Sequence, residues 1–419
     1  MQKKICFAAL ALPALLLAGC ADSPLETLLP AENTATVETA AAPQPQTLNV
    51  YATQALLPAV QNYASSQQVT LQVTEDPAAA DLVLLDHKPD GFVEGVDVMS
   101  DTLLAAAAAR AGITESTDAL PLGRSLYGYW ANGTLLNSLL GDGGVTALQN
   151  ASWDEWSDFV ETLQAWLEEP GAATVTLNGS KFTLPETKPD TLNATGVFSE
   201  PMDRVSGYTA AMLAAGSELT EDTLTGPLNG VYSAVTLEWD NLAENDETAL
   251  FRRAKLTDLL SAYGSEACQN LVLIPFKCEL EESDLSTEEY NLTGLLDYPV
   301  LAEVGYVTVR AGTEETAQKA TKSAALWLYS SGDGENALTE TLGVITPWNT
   351  ASDTTTLGAM QIEQAGTGIL PGITVTQAQA DALEENEEAL RDSTSHTTAE
   401  RKTFTEQALQ ALGVTEAEE

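Results

Sequence analysis

Leu120-Pro-Leu-Gly-Arg-Ser-Leu-Tyr-Gly-Tyr-Trp-Ala-Asn-Gly-Thr-Leu-Leu136 lies where one block of alternating strands and helices ends and another begins. Tyr127, Tyr129 and Trp130 suit a pleated, half-buried surface. Turn formers stand on either side of them, Pro121 and Gly123 before and Asn132-Gly133 after, so the stretch predicts a strand bounded by breaks. A strand passing between two blocks and carrying aromatic rings can line a cleft, and it can equally be an ordinary core strand. Both readings stand at this point.

Before it, Leu48-Asn49-Val50-Tyr51, Val69 to Val73 and Ala80 to Leu85 read as strands, with a helix from Leu56 to Ala64. Uninterrupted apolar strands separated by helices imply a mostly parallel sheet covered on both faces, the pattern of an α/β protein. Ligands of such sheets bind at the carboxyl ends of strands, where Asp86-His87-Lys88-Pro89-Asp90-Gly91-Phe92 follows directly on the third strand. The same segment also reads as a surface turn built on Asp and Pro-Asp-Gly.

After it, Ser152 and Glu155 form a capping box ahead of Trp153, Trp156, Phe159, Val160, Leu163, Trp166 and Leu167 at helical spacing, a stripe that predicts core packing. Val175 to Leu184 predicts a hairpin turning on Asn178-Gly179 with Val175 opposite Phe182, and Pro185 to Asp190 a loop. Val205 to Ala215 predicts a helix and Gly226-Pro227 a turn. Leu271 to Phe276 is an apolar strand followed by the acidic run Glu279 to Glu289, and Tyr298 to Val309 is a further strand. Thr313 is the expected cap of a helix from Glu314 to Tyr329, with Ala317, Ala320, Ala324, Trp327 and Leu328 on one side. Leu338 to Leu342, Thr376 to Glu388 and Ala399 to Leu412 read as further helices.

The chain of 419 residues has room for two domains, and 44% apolar content fits a globular protein. Sixty-one acidic against 18 basic residues give a formal net charge of −43, which argues against binding nucleic acid or an anionic bilayer by charge. The first residues form a targeting segment: Lys3 and Lys4 are its charged start, and Ile5 to Leu17 is an apolar run too short to span a bilayer. It ends in Leu17-Ala18-Gly19-Cys20, which resembles a bacterial lipobox. The resemblance implies that residues 1–19 are removed and that Cys20, diacylated on its thiol, anchors the chain to the outer face of a membrane. Residues 20–46, rich in Ala, Thr, Pro and Glu, read as a flexible linker.

Cys268 and Cys278 then remain. They could pair outside the cell, but an extended Leu271 to Phe276 would hold them roughly 15 to 20 Å apart, which favours two free thiols over a disulfide. With His87 and His396 the only histidines, a zinc site has few ligands. There is no Gly-x-Ser-x-Gly, no Gly-rich phosphate loop and no clear partner for either histidine, so no catalytic residue, cofactor or metal is assigned.

The order of these motifs resembles the extracellular solute-binding proteins of ABC importers, family 1, of the carbohydrate or maltodextrin-binding type. Tyr127 to Asn132 is similar to their first interlobe strand, Tyr298 to Val309 to the second, and the Trp-x-Glu-aromatic start at Trp153 to the helix that opens the second lobe. Gly230 to Asn241 is similar to a segment in which a glycine and two small residues precede a short apolar strand and a sugar-stacking tryptophan, although the usual Gly-x-Trp ending is absent. The resemblance implies a two-lobed, type II binding-protein fold. Residues 47–128 and 305–345 would form lobe 1, and 129–304 and 346–415 lobe 2. Ligand contacts are expected from Asp86, His87, Tyr127, Trp130, Trp239, Asp240 and Trp348, with packing roles standing beside several of them. The expected protein is not an enzyme. It is a monomer that closes on a small solute, a sugar or oligosaccharide, and hands it to an ABC permease. Two other readings stay open: a surface glycan hydrolase, and an interaction lipoprotein that kept the fold without transport.

Overall fold

The computed structural model describes residues 47–216, 219–280, 300–348, 370–371, 373–391, 393 and 395–414. The expected signal segment, Cys20 and the expected linker, most of the acidic run after Glu279, and Tyr298 lie outside them.

Strand β1 (Thr47–Ala52) sits between β2 (Thr70–Val73) and β3 (Leu82–Leu85), both parallel to it. The 13-residue β4 (Leu120–Asn132) follows, and then the hairpin β5 (Thr174–Leu177) and β6 (Ser180–Thr183), in which Val175 opposes Phe182. Strand β7 (Gly196–Phe198) runs parallel to β8 (Ala249–Lys255). Both β8 and β9 (Leu271–Pro275) run antiparallel to the second half of β4. The returning β10 (Val300–Val309) lies antiparallel to β3 and to the first half of β4, and β11 (Leu370–Pro371) pairs parallel with its start. The α/β sheet is therefore mixed, parallel toward its flanks and antiparallel around β4 and β10. Each half of β4 has different partners, so one continuous strand joins two packed regions.

The first region buries Leu48, Val50, Leu84, Leu122, Val307, Ala324, Leu328 and Leu338 in one core. The second buries Tyr129, Trp156, Phe159, Phe198 and Phe251, with Tyr129 stacked on Trp156 at 5.0 Å between ring centres. Helix Trp153–Glu168 carries Trp156, Phe159, Val160, Leu163, Trp166 and Leu167 on its buried face, and the Ser152–Glu155 capping box is present. Burial of this many large rings supplies on the order of 2 kcal/mol each.

Four local expectations differ from the structure. Pro121 and Gly123 do not break β4; the strand passes through both, and the register shifts at Gly305 opposite them absorb the irregularity. At Gly123 a Cβ would stand 2.4 Å from the Ile345 carbonyl oxygen, so the glycine admits the 343–347 segment against the strand. Gly226-Pro227 is not a turn, and Gly230 to Trp239 is not a strand. Both lie in one helix, Glu221–Asp240, started by the Thr220–Thr223 capping box and held by Leu224, Leu228, Val231, Tyr232 and Val235 packed in a core at helical spacing. That burial outweighs the single backbone bond Pro227 cannot make. Thr313 does not cap: helix Glu315–Ser330 begins after Glu314, and the Thr313 hydroxyl donates back to the Arg310 carbonyl at 3.5 Å.

Candidate functional site

Where β4 and β10 pair, their side chains border a cavity of about 580 Å³, a size suited to a small ligand. Among the described residues, β4 and its approach contribute Ala119, Pro121, Gly123 and Arg124, and β10 contributes Leu301, Glu303 and Tyr306. Lys88, beyond the end of β3, and Ile345 to Pro347 with Thr374 complete much of the wall. Lys88 is held in place by its backbone, whose N–H donates to Val375 and whose carbonyl accepts from Gln377. The Tyr306 hydroxyl donates to one oxygen of Glu303 at 2.9 Å and the Thr374 hydroxyl to the other at 2.6 Å. Burial pushes the Tyr306 phenol up, and the facing Glu303 carboxylate pushes it further, so it stays a neutral donor. Apolar walls with a few convergent donors and acceptors suit a polar solute with an apolar face.

The fold also holds a buried network of charges. Arg253 on β8 donates from Nε to Glu238 at 2.8 Å and from its terminal nitrogens to Tyr127 at 3.1 Å and to Glu387. Burial drives the carboxyls of Glu238 and Glu387 up, the latter to about 7, although the Arg253 guanidinium opposes this. Lys255, two residues on, lies 3.5 Å from Asp203, whose Oδ1 accepts from the backbone N–H groups of Val205 and Ser206. Burial pulls the Lys255 ammonium down, but Asp203, Asp258 and Asp86 outweigh it and keep the ammonium charged. Asp258 is driven by burial to about 7. His87 is held by burial, and then by the Lys255 charge, at about 3, so it is neutral. Asp86 accepts from the Thr53 hydroxyl at 2.9 Å, and burial raises its carboxyl.

The residues expected to bind are thus dispersed. Asp86, His87 and Tyr127 meet in the buried network, and none of the expected residues is among the described residues lining the cavity. Trp130 is fully buried against β8, its indole N–H on the Ala254 carbonyl at 3.0 Å. Trp239 is buried in the core of its own helix, with Arg204 and Arg391 over the ring at 5.6 and 5.9 Å. Asp240 is on the surface, paired with His396 at 2.9 Å. Trp348 packs against Tyr329, with Arg110 4.0 Å above its ring. Cys268 and Cys278 are both buried free thiols. Sequence reasoning missed Arg124, Glu303, Arg253 and Lys255. In a chain so poor in bases, an Arg or Lys inside an apolar strand, as in Leu250-Phe-Arg-Arg-Ala-Lys255, was the available signal.

No family model matches the sequence, and no curated protein matches it. Solved structures do. A Streptococcus pneumoniae solute-binding protein in complex with the blood group A-trisaccharide covers 86% of this chain and 99% of its own, at 10% identity and a TM-score of 0.53. The Thermus thermophilus maltotriose binding protein covers 87% of this chain and 100% of its own, at 13% identity and a TM-score of 0.53. An ABC transporter solute-binding protein of Thermotoga lettingae bound with α-D-tagatose covers 88% and 100%, at 12% identity and 0.51. The chain therefore has the two-lobed α/β fold of the extracellular solute-binding proteins. Among the described residues no helix is long and apolar enough to cross a membrane, and no cluster of His, Cys, Asp and Glu could hold a metal ion.

Proposed function

We propose that this chain is an extracellular, lipid-anchored solute-binding protein that captures a sugar or oligosaccharide and delivers it to an ABC permease. The observation that carries this reading is the cavity bordered by both β4 and β10, the two strands about which lobes of this fold would hinge. Residues 47–128 and 305–345 would move as one lobe, and 129–304 and 346–415 as the other. In this reading Lys88, Arg124, Glu303, Tyr306 and Thr374 meet the solute. Asp86, His87 and Tyr127 hold the strands through the buried charges, Trp239 and Trp348 serve packing, and Asp240 stays on the surface paired with His396. The acylated Cys20 would keep the protein beside its permease.

Thermal unfolding of the full chain against mono- and oligosaccharides, with amino acids and peptides as controls, tests this. A ligand at about 100 times its dissociation constant adds about 2.7 kcal/mol and raises the midpoint by several degrees. A shift confined to one sugar class supports capture. If no sugar shifts the midpoint, the reading fails in favour of an interaction lipoprotein, and turnover of a glycan would favour the hydrolase instead. Cys20→Ser should move the protein from the membrane to the soluble fraction; retention on the membrane would rule out the lipid anchor.

A further inference from the structure

The charge on the cavity wall narrows the class of sugar. The chain carries 18 bases against 61 acids. Lys255, Arg253, Arg204 and Lys322 all pair with carboxylates. Arg310 and Lys188 donate to backbone carbonyls. Lys88 and Arg124 do neither: among the described residues their side chains have no hydrogen bond or ion pair, and both are half-buried on the wall of the same cavity. Lys181 and Lys319, also without such partners, are exposed to water.

Glu303 faces Arg124 across the β4–β10 register, but its oxygens are taken by the Tyr306 and Thr374 hydroxyls. Glu115 contributes to the wall from an exposed position. Neither Glu303 nor Glu115 makes an ion pair with Arg124 or Lys88, so two half-buried cations on one wall are left with room for a direct pair that an anionic ligand would supply. Resting on the sugar-binding reading, we infer that the cavity takes an anionic sugar, whose carboxylate or phosphate meets Arg124 and Lys88.

Calorimetry on the full chain with glucose, galactose and mannose beside their uronates and 6-phosphates tests this, with acetate and inorganic phosphate as sugar-free anions. The expected result is binding of one acidic form at least tenfold tighter than its neutral parent. Arg124→Gln and Lys88→Gln should each weaken it about tenfold or more, and Arg124→Lys should retain part of it, with the midpoints of the unliganded variants reporting the fold. Preference for uronate or phosphate identifies the anionic group. Equal or tighter binding of the neutral sugar overturns the inference and leaves sugar capture standing. If no sugar binds, or if acetate or phosphate alone binds as tightly, both readings fall.

Discussion

Arg253 Nε lies 2.8 Å from Glu238 Oε2, and the two side chains are 1% and 3% exposed. The guanidinium also contacts Glu387, so one cation serves two carboxylates that have left water. Arg253→Met leaves both without a countercharge and should cost about 3 to 5 kcal/mol in urea unfolding. Changing Glu238 and Glu387 to Gln in the same chain should recover much of that. A loss below about 1 kcal/mol for the single variant would mean that water reaches the cluster.

His87 gives the network a pH dependence of defined sign. Its imidazole is neutral in the fold down to about 3, whereas in the unfolded chain it protonates near 6.5. The stability it contributes is present above about 6.5 and is lost as pH falls toward 3, by up to about 1.4 kcal/mol per pH unit. Asp258 and Glu387, raised to about 7, work in the opposite direction, stabilising the fold as pH drops from 7 toward their unfolded values. Replacing His87 by Asn should therefore raise the midpoint at pH 4 relative to that at pH 6.5, compared with the parent chain. An unchanged acid slope would show that His87 is solvated.

Helical glycines usually gain about 1 kcal/mol on mutation to alanine. Gly230 should do the reverse, because a Cβ there would stand 2.0 Å from the Glu279 carbonyl oxygen, a backbone atom. Gly230→Ala is expected to destabilise by about 1 to 3 kcal/mol in thermal unfolding. A stabilised variant would place the segment after β9 further from the helix.

Burial raises the thiols of Cys268 and Cys278 to about 11 and about 12, and thiolate is the reactive form. Alkylation at pH 8, mapped by peptide mass, should spare both in the native chain and label both in guanidinium. Labelling of either before unfolding would show local opening, and a crosslinked peptide would show a disulfide.

Patterns that depend on neighbouring residues could be read directly from the chain. The Ser152–Glu155 cap, the tryptophan stripe behind it, the Asn178-Gly179 hairpin and its register, and the order of strands and helices rest on local backbone preferences and on periods of 2 and 3.6. The same logic misled at Gly226-Pro227, because a turn signal of two residues competes with the burial of a whole helical face. The candidate site was less legible. Lys88, Arg124 and Glu303 come from separate segments, and nothing in their spacing shows that they border one cavity. Tyr127 and Trp130 lie three residues apart on one strand and look alike in sequence; one meets Arg253 and the other the Ala254 carbonyl. What the sequence by itself determined is those elements marked by a cap, a turn pair or a clear period, such as helix Trp153–Glu168 and the hairpin at Asn178-Gly179, with the face each buries. Which charges meet was decided only by tertiary structure, since a buried ion pair is stable only where distant segments close round it and shut out water.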